Sequence, residues 1–319
     1  MKTRAITYGA MMTAIAVVLA LLCNYFPLFW IFYYLMPVPM IILAKQQGIL
    51  TAVLSSIAAT LILFMLMDPF QAISFGLLLI VLGCGLGVAY YKKQSGFVKV
   101  CVGYLATAIS ITLIILLTQV FLKQNFITLL TNAINSTATQ IKAIYTSMNL
   151  EEEQLSLLVT TVDQVVEIMK LLIPTVFLVL PFVISIVNVA VTDKILKRMR
   201  IQNKPIKNIA HWQVSRSFRA FMTVVVIATA LLDFLPDIPE LYNVTLTLLS
   251  SIVFYLLGIS YIFWGINQRM KKHNSNVFVK IVVVFISILI SYISMIIAMI
   301  GMIDVFFNLR RFHKRKDQQ

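Results

Sequence analysis

The stretch Asp193–Arg219, DKILKRMRIQNKPIKNIAHWQVSRSFR, decides how this chain is read. Eight of its residues are basic: Lys194, Lys197, Arg198, Arg200, Lys204, Lys207, Arg216 and Arg219. Apolar runs long enough to cross a bilayer flank it on both sides. Connectors with such an excess of Lys and Arg stay on the cytoplasmic side, because carrying those charges across the membrane is costly. The stretch therefore orients every other segment. It also divides the chain into a six-span front and a shorter back.

Composition supports the same reading. Sixty per cent of the residues are apolar and 12% are charged, against roughly 25% charged in an ordinary soluble domain. A chain of 319 residues cannot bury that much hydrocarbon as a soluble fold, so it reads as polytopic. The net charge of +14 could suggest nucleic acid. However, the basic residues sit in short connectors and form no continuous face with interleaved aromatics, so no nucleic-acid partner is expected. A basic surface facing anionic lipid accounts for them. Cys23, Cys84 and Cys101 lie inside apolar runs without CxxC spacing and read as small packing residues. The first apolar run lacks a convincing cleavage site and leads directly into a second, which argues against a cleaved signal peptide.

Upstream of the basic stretch, the sixth span covers Leu171–Thr192 and carries Pro174, Pro181 and Asn188. Before it lies a polar insert, residues 123–170, placed outside by parity. Leu155, Leu158, Val159, Val162, Val165, Val166 and Met169 recur at three and four residues there, which marks an amphipathic helix. Asn149 ahead of Glu152 resembles a helix cap. A first arm over Asn125–Met148 completes an expected helical hairpin, either a lid over the outer mouth or a loop resting on lipid. Spans five, four and three cover Val100–Leu122, Phe70–Tyr91 and Ile49–Met67. Gly83, Gly85 and Gly87 in span four read as close helix approach, since no strand, Lys or Ser/Thr makes them a phosphate loop.

Span two, Leu28–Ala44, contains Pro37 and Pro39, where the helix should kink or open. Broken helices line sites in transporters, which makes these prolines candidate site residues. Span one, Ala5–Cys23, follows Lys2 and Arg4, which place the N-terminus inside. It carries a small-residue stripe at Gly9, Thr13, Ala16 and Ala20, with Ala10 and Ala14 beside it. In lipid, helices associate through close backbone contact, and such faces permit it. The contact could be with a helix of the same chain or with a separate membrane subunit.

Downstream, span seven covers Ala220–Leu235, and Asp233, Asp237 and Glu240 make an acidic outer turn. Span eight covers Leu241–Ile266, and the last apolar run extends over Val277–Phe307. A ninth crossing would put the basic tail, residues 308–319, outside, in conflict with every earlier connector. Either the tail is exported despite its charge, which is the preferred reading, or the last segment bends back. The expected fold is an all-α polytopic transmembrane helix bundle of 8–9 spans. Its parts are a six-span bundle with the helical insert (1–192), a basic cytoplasmic loop (193–219), C-terminal helices (220–307) and the tail.

No catalytic constellation, cofactor motif or metal-ligand spacing is visible, so no enzyme is expected. His211, His273 and His313 lie apart in basic segments. There is no HExxH, GxSxG or Walker loop. Ionisable groups inside the hydrocarbon mark transport paths, and Asp304 is the best candidate. Asp68 and Asp233 sit at outer ends, and Asp193 is expected to pair with a neighbouring Lys.

Several stretches together resemble the YybS-like family of bacterial multi-pass membrane proteins. They are Thr3-Arg4-Ala5 with Gly9-Ala10-Met11-Met12-Thr13-Ala14; Met36-Pro37-Val38-Pro39 with Lys45 and Gly48; Gly83-Cys84-Gly85-Leu86-Gly87 with Lys92-Lys93; His211-Trp212-Gln213 with Arg216; and Gly301-Met302-Ile303-Asp304 with Arg310. The front six spans are distantly similar to the S components of energy-coupling-factor transporters, six-helix subunits that bind one small molecule from outside. Those dock through Ala-x-x-x-Ala in the first helix, and Ala10 and Ala14 match that motif. The chain departs from them in its three additional apolar segments, its long insert and its lack of a vitamin-binding motif. The resemblance implies a substrate-binding or transport-associated membrane subunit for a small solute. The competing expectation is a non-transporting scaffold that recruits a cytoplasmic partner through the basic loop, with Trp212 anchored at the interface.

Overall fold

The structure is a computed structural model that describes residues 3–148, 152–205, 210, 212, 215–232, 240–269, 273–307 and 309–310. Every regular element among them is helical. Asn149, Glu151, His211, Asp233, Asp237, His313 and the tail beyond Arg310 lie outside the described residues. The chain forms two compact units, Met1–Ile206 and Lys207–Gln319, divided within the basic stretch.

In the first unit, α1 (Thr3–Tyr25) leads into a 3₁₀ stretch (Pro27–Leu35), then α2 (Val38–Gln47) and α3 (Ile49–Leu66). The second expected span is thus opened into two pieces at Met36–Pro37, rather than kinked. Pro37 is the N-cap of α2 and Pro39 falls in its first turn, where a missing N–H leaves no bond unmade. The two prolines start a helix instead of bending one. All seven residues from Val38 to Ala44 are buried, as befits a short helix apolar on every side. α2 forms the centre around which the unit packs.

The next crossing, residues 69–91, has three parts: α4 (Pro69–Leu77), a π-helical turn (Leu78–Cys84) and α5 (Gly85–Tyr91). The Asp68 side chain caps α4 by accepting from the Phe70 and Gln71 amides. The expected close approach is real. A Cβ on Gly87 would stand 2.6 Å from Ala44 Cβ, and one on Gly83 3.0 Å from Met40 Cβ. α6 (Gly96–Leu122) starts from a Ser95 cap, and α7 (Phe126–Ser147) from an Asn125 cap. The first arm of the hairpin is therefore where the sequence puts it.

The second arm is not a separate helix. α8 runs unbroken from Glu152 to Arg198, 47 residues, with Pro174 and Pro181 inside it. It takes in the amphipathic segment, the sixth span and the first basic residues of the connector. At about 1.5 Å per residue it is roughly 70 Å long, more than twice a ~30 Å hydrocarbon layer. Lys142 and Asp163 join the two arms by an ion pair of 2.5 Å.

The second unit contains α9 (Arg216–Leu232), α10 (Glu240–Arg269), α11 (His273–Leu289) and α12 (Ser291–Phe307). α10 and α12 cross backbone to backbone at Gly258 and Gly301. A Cβ at either would lie 1.9 Å from a carbonyl oxygen, of Ile297 and Phe254 respectively. The last apolar run is broken at Ile290, and Phe278–Ser287 and Ser291–Phe307 meet at 111°. Among the described residues, six helices are long and apolar enough to cross a membrane, or seven if this bent pair is one crossing. The difference from the expected eight or nine lies in the split second span and in the 17-residue α9.

Candidate functional site

The first unit contains a cavity of 460 Å³ at the end opposite Lys45, Lys92 and Lys99, where the 3₁₀ stretch, the π turn, α6, α7 and α8 converge. Each wall has a local cause. The prolines end the second span early and leave Tyr33 and Tyr34 on a 3₁₀ stretch beside the gap. The wider π turn, a feature common at functional sites, contributes Leu78. α6 supplies Ile111, Ile114 and Ile115, and the hairpin arm α7 closes over them with Phe126, Leu130 and Ile134. α8 completes the wall with residues between Met169 and Leu180, a stretch that contains Pro174.

Asn188 fixes the depth of the 3₁₀ stretch. Its side-chain amide donates to the Tyr34 carbonyl at 2.8 Å and to the Ile184 carbonyl at 2.9 Å. Tyr33 packs edge-on against Tyr34 with ring centroids 5.1 Å apart, and at the same distance against Phe75. Neither tyrosine hydroxyl has a hydrogen-bond partner among the described residues, and neither is sealed from the surroundings. A second hollow of 320 Å³ adjoins the first, sharing Tyr33 and Ile114, and it is lined by Asn24, Gln71 and Ser74. Among the described residues, no Asp, Glu, Lys, Arg or His lines either space.

At the other end of the unit, Lys99, Tyr90, Asp193 and Asn203 interlock in a polar knot. Lys99 is completely buried and lies 3.5 Å from the Asp193 carboxylate. It donates to Asn203 Oδ1 and to the Lys204 carbonyl, and its ammonium sits 4.1 Å above the Tyr90 ring. Tyr90 donates to Asp193 at 2.7 Å, and Asn203 donates to the same carboxylate. Asp193 does pair with a lysine, but with one distant in sequence. The knot ties α5, α6, α8 and the chain after α8 together.

The remaining sequence candidates separate. Gly9, Thr13, Ala16 and Ala20 are buried, and Thr13 Oγ1 donates to the Ser55 carbonyl of α3, so this stripe packs within the chain. Ala10 and Ala14 stay exposed, in a groove between α1 and α3 lined also by Thr51, Leu54, Ser55 and Ala58. Pro37 and Pro39 are buried and shape the cavity indirectly by starting α2. Asp304 pairs with Arg310 at 3.1 Å. Arg310 is buried, and it also donates to the Ala210 carbonyl at 3.1 Å and to Ser260 Oγ at 2.9 Å. Ser260 in turn donates to the Trp212 carbonyl at 3.4 Å. Asp304 and Trp212 thus meet in one buried cluster of the second unit. Sequence reasoning placed Arg310 in the basic tail, and its six-residue separation from Asp304 matches no helical pairing rule. It also missed Tyr33 and Tyr34, since two more aromatics in a run already rich in them (Phe29, Trp30, Phe32) do not stand out. Of the three cysteines, Cys84 is buried against Ser56 as a packing residue, whereas Cys101 is exposed.

Helices of this length and hydropathy, all-α packing and apolar outer faces define a multi-pass helical membrane protein. The chain belongs to the family described as "Predicted membrane protein (DUF2232)", whose profile matches residues 14–305. No curated protein and no solved structure matches it.

Proposed function

We propose that this chain is a substrate-binding or transport-associated membrane subunit for a small solute. The observation that carries this reading is the cavity walled by the 3₁₀ stretch, the hairpin arm α7 and α8. Its volume is that of a small-molecule site, about 300–1,000 Å³. Two tyrosine hydroxyls without partners among the described residues border it. The charge rule puts the lysine-rich end and the N-terminus in the cytoplasm. The cavity then lies toward the extracytoplasmic side, beneath the hairpin. The groove bearing Ala10 and Ala14 is the docking face for a second membrane subunit, because small side chains let another helix approach closely.

Native mass spectrometry of the detergent-purified protein tests both halves. A retained small molecule supports the site, and a retained polypeptide supports the docking face. Ala10→Trp and Ala14→Trp should abolish co-purification of the second subunit while the protein still inserts. Full recovery with both variants counts against docking, and an empty cavity under every purification condition counts against solute binding.

A further inference from the structure

The cavity and its neighbour differ in chemistry, and the difference specifies a ligand class. The larger space is walled by aliphatic and aromatic side chains from five elements, with Tyr33 and Tyr34 as its only polar residues among the described ones. The smaller space presents two side-chain amides, Asn24 and Gln71, the Ser74 hydroxyl and the Cys23 thiol. Tyr33 and Ile114 belong to both walls, so Tyr33 stands at the junction.

A carboxylate, phosphate or ammonium placed here would meet no opposite charge among the described residues, and in the larger space it would exchange water for hydrocarbon, which is unfavourable. A polyol would leave most of its hydroxyls unpaired in the larger space. A pure hydrocarbon would fill that space and do nothing for Asn24, Gln71 or the Tyr33 hydroxyl. We propose that the two spaces together hold one uncharged amphiphile. Its apolar body lies among Ile111, Ile115, Leu130 and Val176, and its hydrogen-bonding end lies between Tyr33 and Asn24. This rests on the solute-binding reading above and gives it a substrate class. Such a molecule could come from the bilayer as a neutral lipid or from the aqueous phase as a free neutral solute; the chemistry recognised is the same.

The test uses the full-length protein in lipid nanodiscs and four probes that share one chain length: decane, decanol, decanoate and decylammonium. Decanol should bind at least tenfold more tightly than decanoate or decylammonium, and several-fold more tightly than decane. Tyr33→Phe keeps the ring and removes the hydroxyl, and with Asn24→Ala it should reduce the decanol-over-decane preference to less than threefold. Leu130→Trp, on the peripheral arm α7, should weaken decane and decanol alike. Equal or tighter binding of a charged probe overturns the uncharged class and leaves solute binding standing. No binding of any probe, with nothing but detergent retained by the purified protein, overturns solute binding itself. The accurate mass of a co-purified molecule separates the sources. A mass present in the host lipid extract assigns the bilayer, one absent from it assigns a free solute, and a charged lipid overturns the proposal.

Discussion

Arg310 Nη2 donates to Ser260 Oγ at 2.9 Å, fastening a residue beyond α12 to the body of α10. The same guanidinium bonds Asp304 and the Ala210 carbonyl, so one planar fork closes three chain segments of the second unit. Removing the cation leaves a buried carboxylate without its partner, a loss that costs about 3–5 kcal/mol. Arg310→Leu should therefore lower the unfolding temperature of the detergent-solubilised protein markedly. Arg310→Leu combined with Asp304→Leu should recover most of that loss, because no unpaired charge remains. Arg310→Lys should recover little, since an ammonium cannot span all three acceptors. A double variant no better than the single one would show that Arg310 acts through packing alone.

The knot around Lys99 follows the same logic with different partners. Asp193→Ala strands a fully buried ammonium, leaving only the Asn203 and Lys204 oxygens and the Tyr90 ring around it. A loss of about 3–5 kcal/mol is expected. Lys99→Met with Asp193→Leu should be better tolerated than Asp193→Ala alone, as measured by thermal unfolding and by protease cleavage after α8. Tyr90→Phe should cost less, about 1.5–3 kcal/mol for a neutral donor to a charged acceptor, because Asn203 still serves the carboxylate.

The crossing of α10 and α12 gives a prediction with its own control. Gly258→Ala and Gly301→Ala each drive a Cβ to within 1.9 Å of a backbone oxygen, which no rotamer change relieves. Both should separate the two helices and destabilise the second unit. Gly265, on the same helix, has nothing within 4 Å of its Cβ position. Gly265→Ala should be neutral or up to about 1 kcal/mol stabilising through helix propensity. Equal loss from Gly258→Ala and Gly265→Ala, read as unfolding temperature, would contradict the crossing.

The helical class, the small-residue stripe of α1, the glycine face of span four and the start of α7 are legible in the sequence because they rest on local rules. Hydropathy runs, the Asn125 cap and the small-residue spacing each act within a few residues. The prolines of the second span misled in degree. A proline inside a helix bends it, but one in a first turn costs nothing, and only the boundary at Met36 separates the two cases. The continuity of α8 was hidden for a similar reason, since the change from amphipathic to uniformly apolar composition looks like a joint. The ion pairs Lys99–Asp193 and Asp304–Arg310 follow from packing over long or irregular separations. The cavity depends on five elements converging, which no single stretch announces.

Orientation can be checked at the same connector that began the reading. In a background with Cys23, Cys84 and Cys101 replaced by alanine, a cysteine at Ser215 should resist a membrane-impermeant maleimide in intact cells and react after permeabilisation. One at Ser156, on the exposed face of α8, should react in both. The opposite pattern would invert the sidedness assigned to the cavity.

The length of α8 has a direct consequence for how the hairpin stands. Ser156 and Lys194 are both exposed and belong to one helix. Separated by 38 residues, they lie about 57 Å apart along a straight rod at ~1.5 Å per residue. Pro174 and Pro181 should bend the rod, because each removes a backbone donor and crowds the preceding turn, so the distance should fall a few ångströms short of that figure. Spin labels at these two positions in the cysteine-free protein, measured by double electron–electron resonance in nanodiscs, should give one distribution centred at about 50–57 Å. A joint near Lys170 that folds the amphipathic half onto the lipid surface would bring the labels within about 45 Å. That outcome would also detach α7, held to α8 through Lys142 and Asp163, from the wall it gives the cavity. The spin-label distance and probe binding should therefore fail together if the hairpin lies flat, and hold together if it stands.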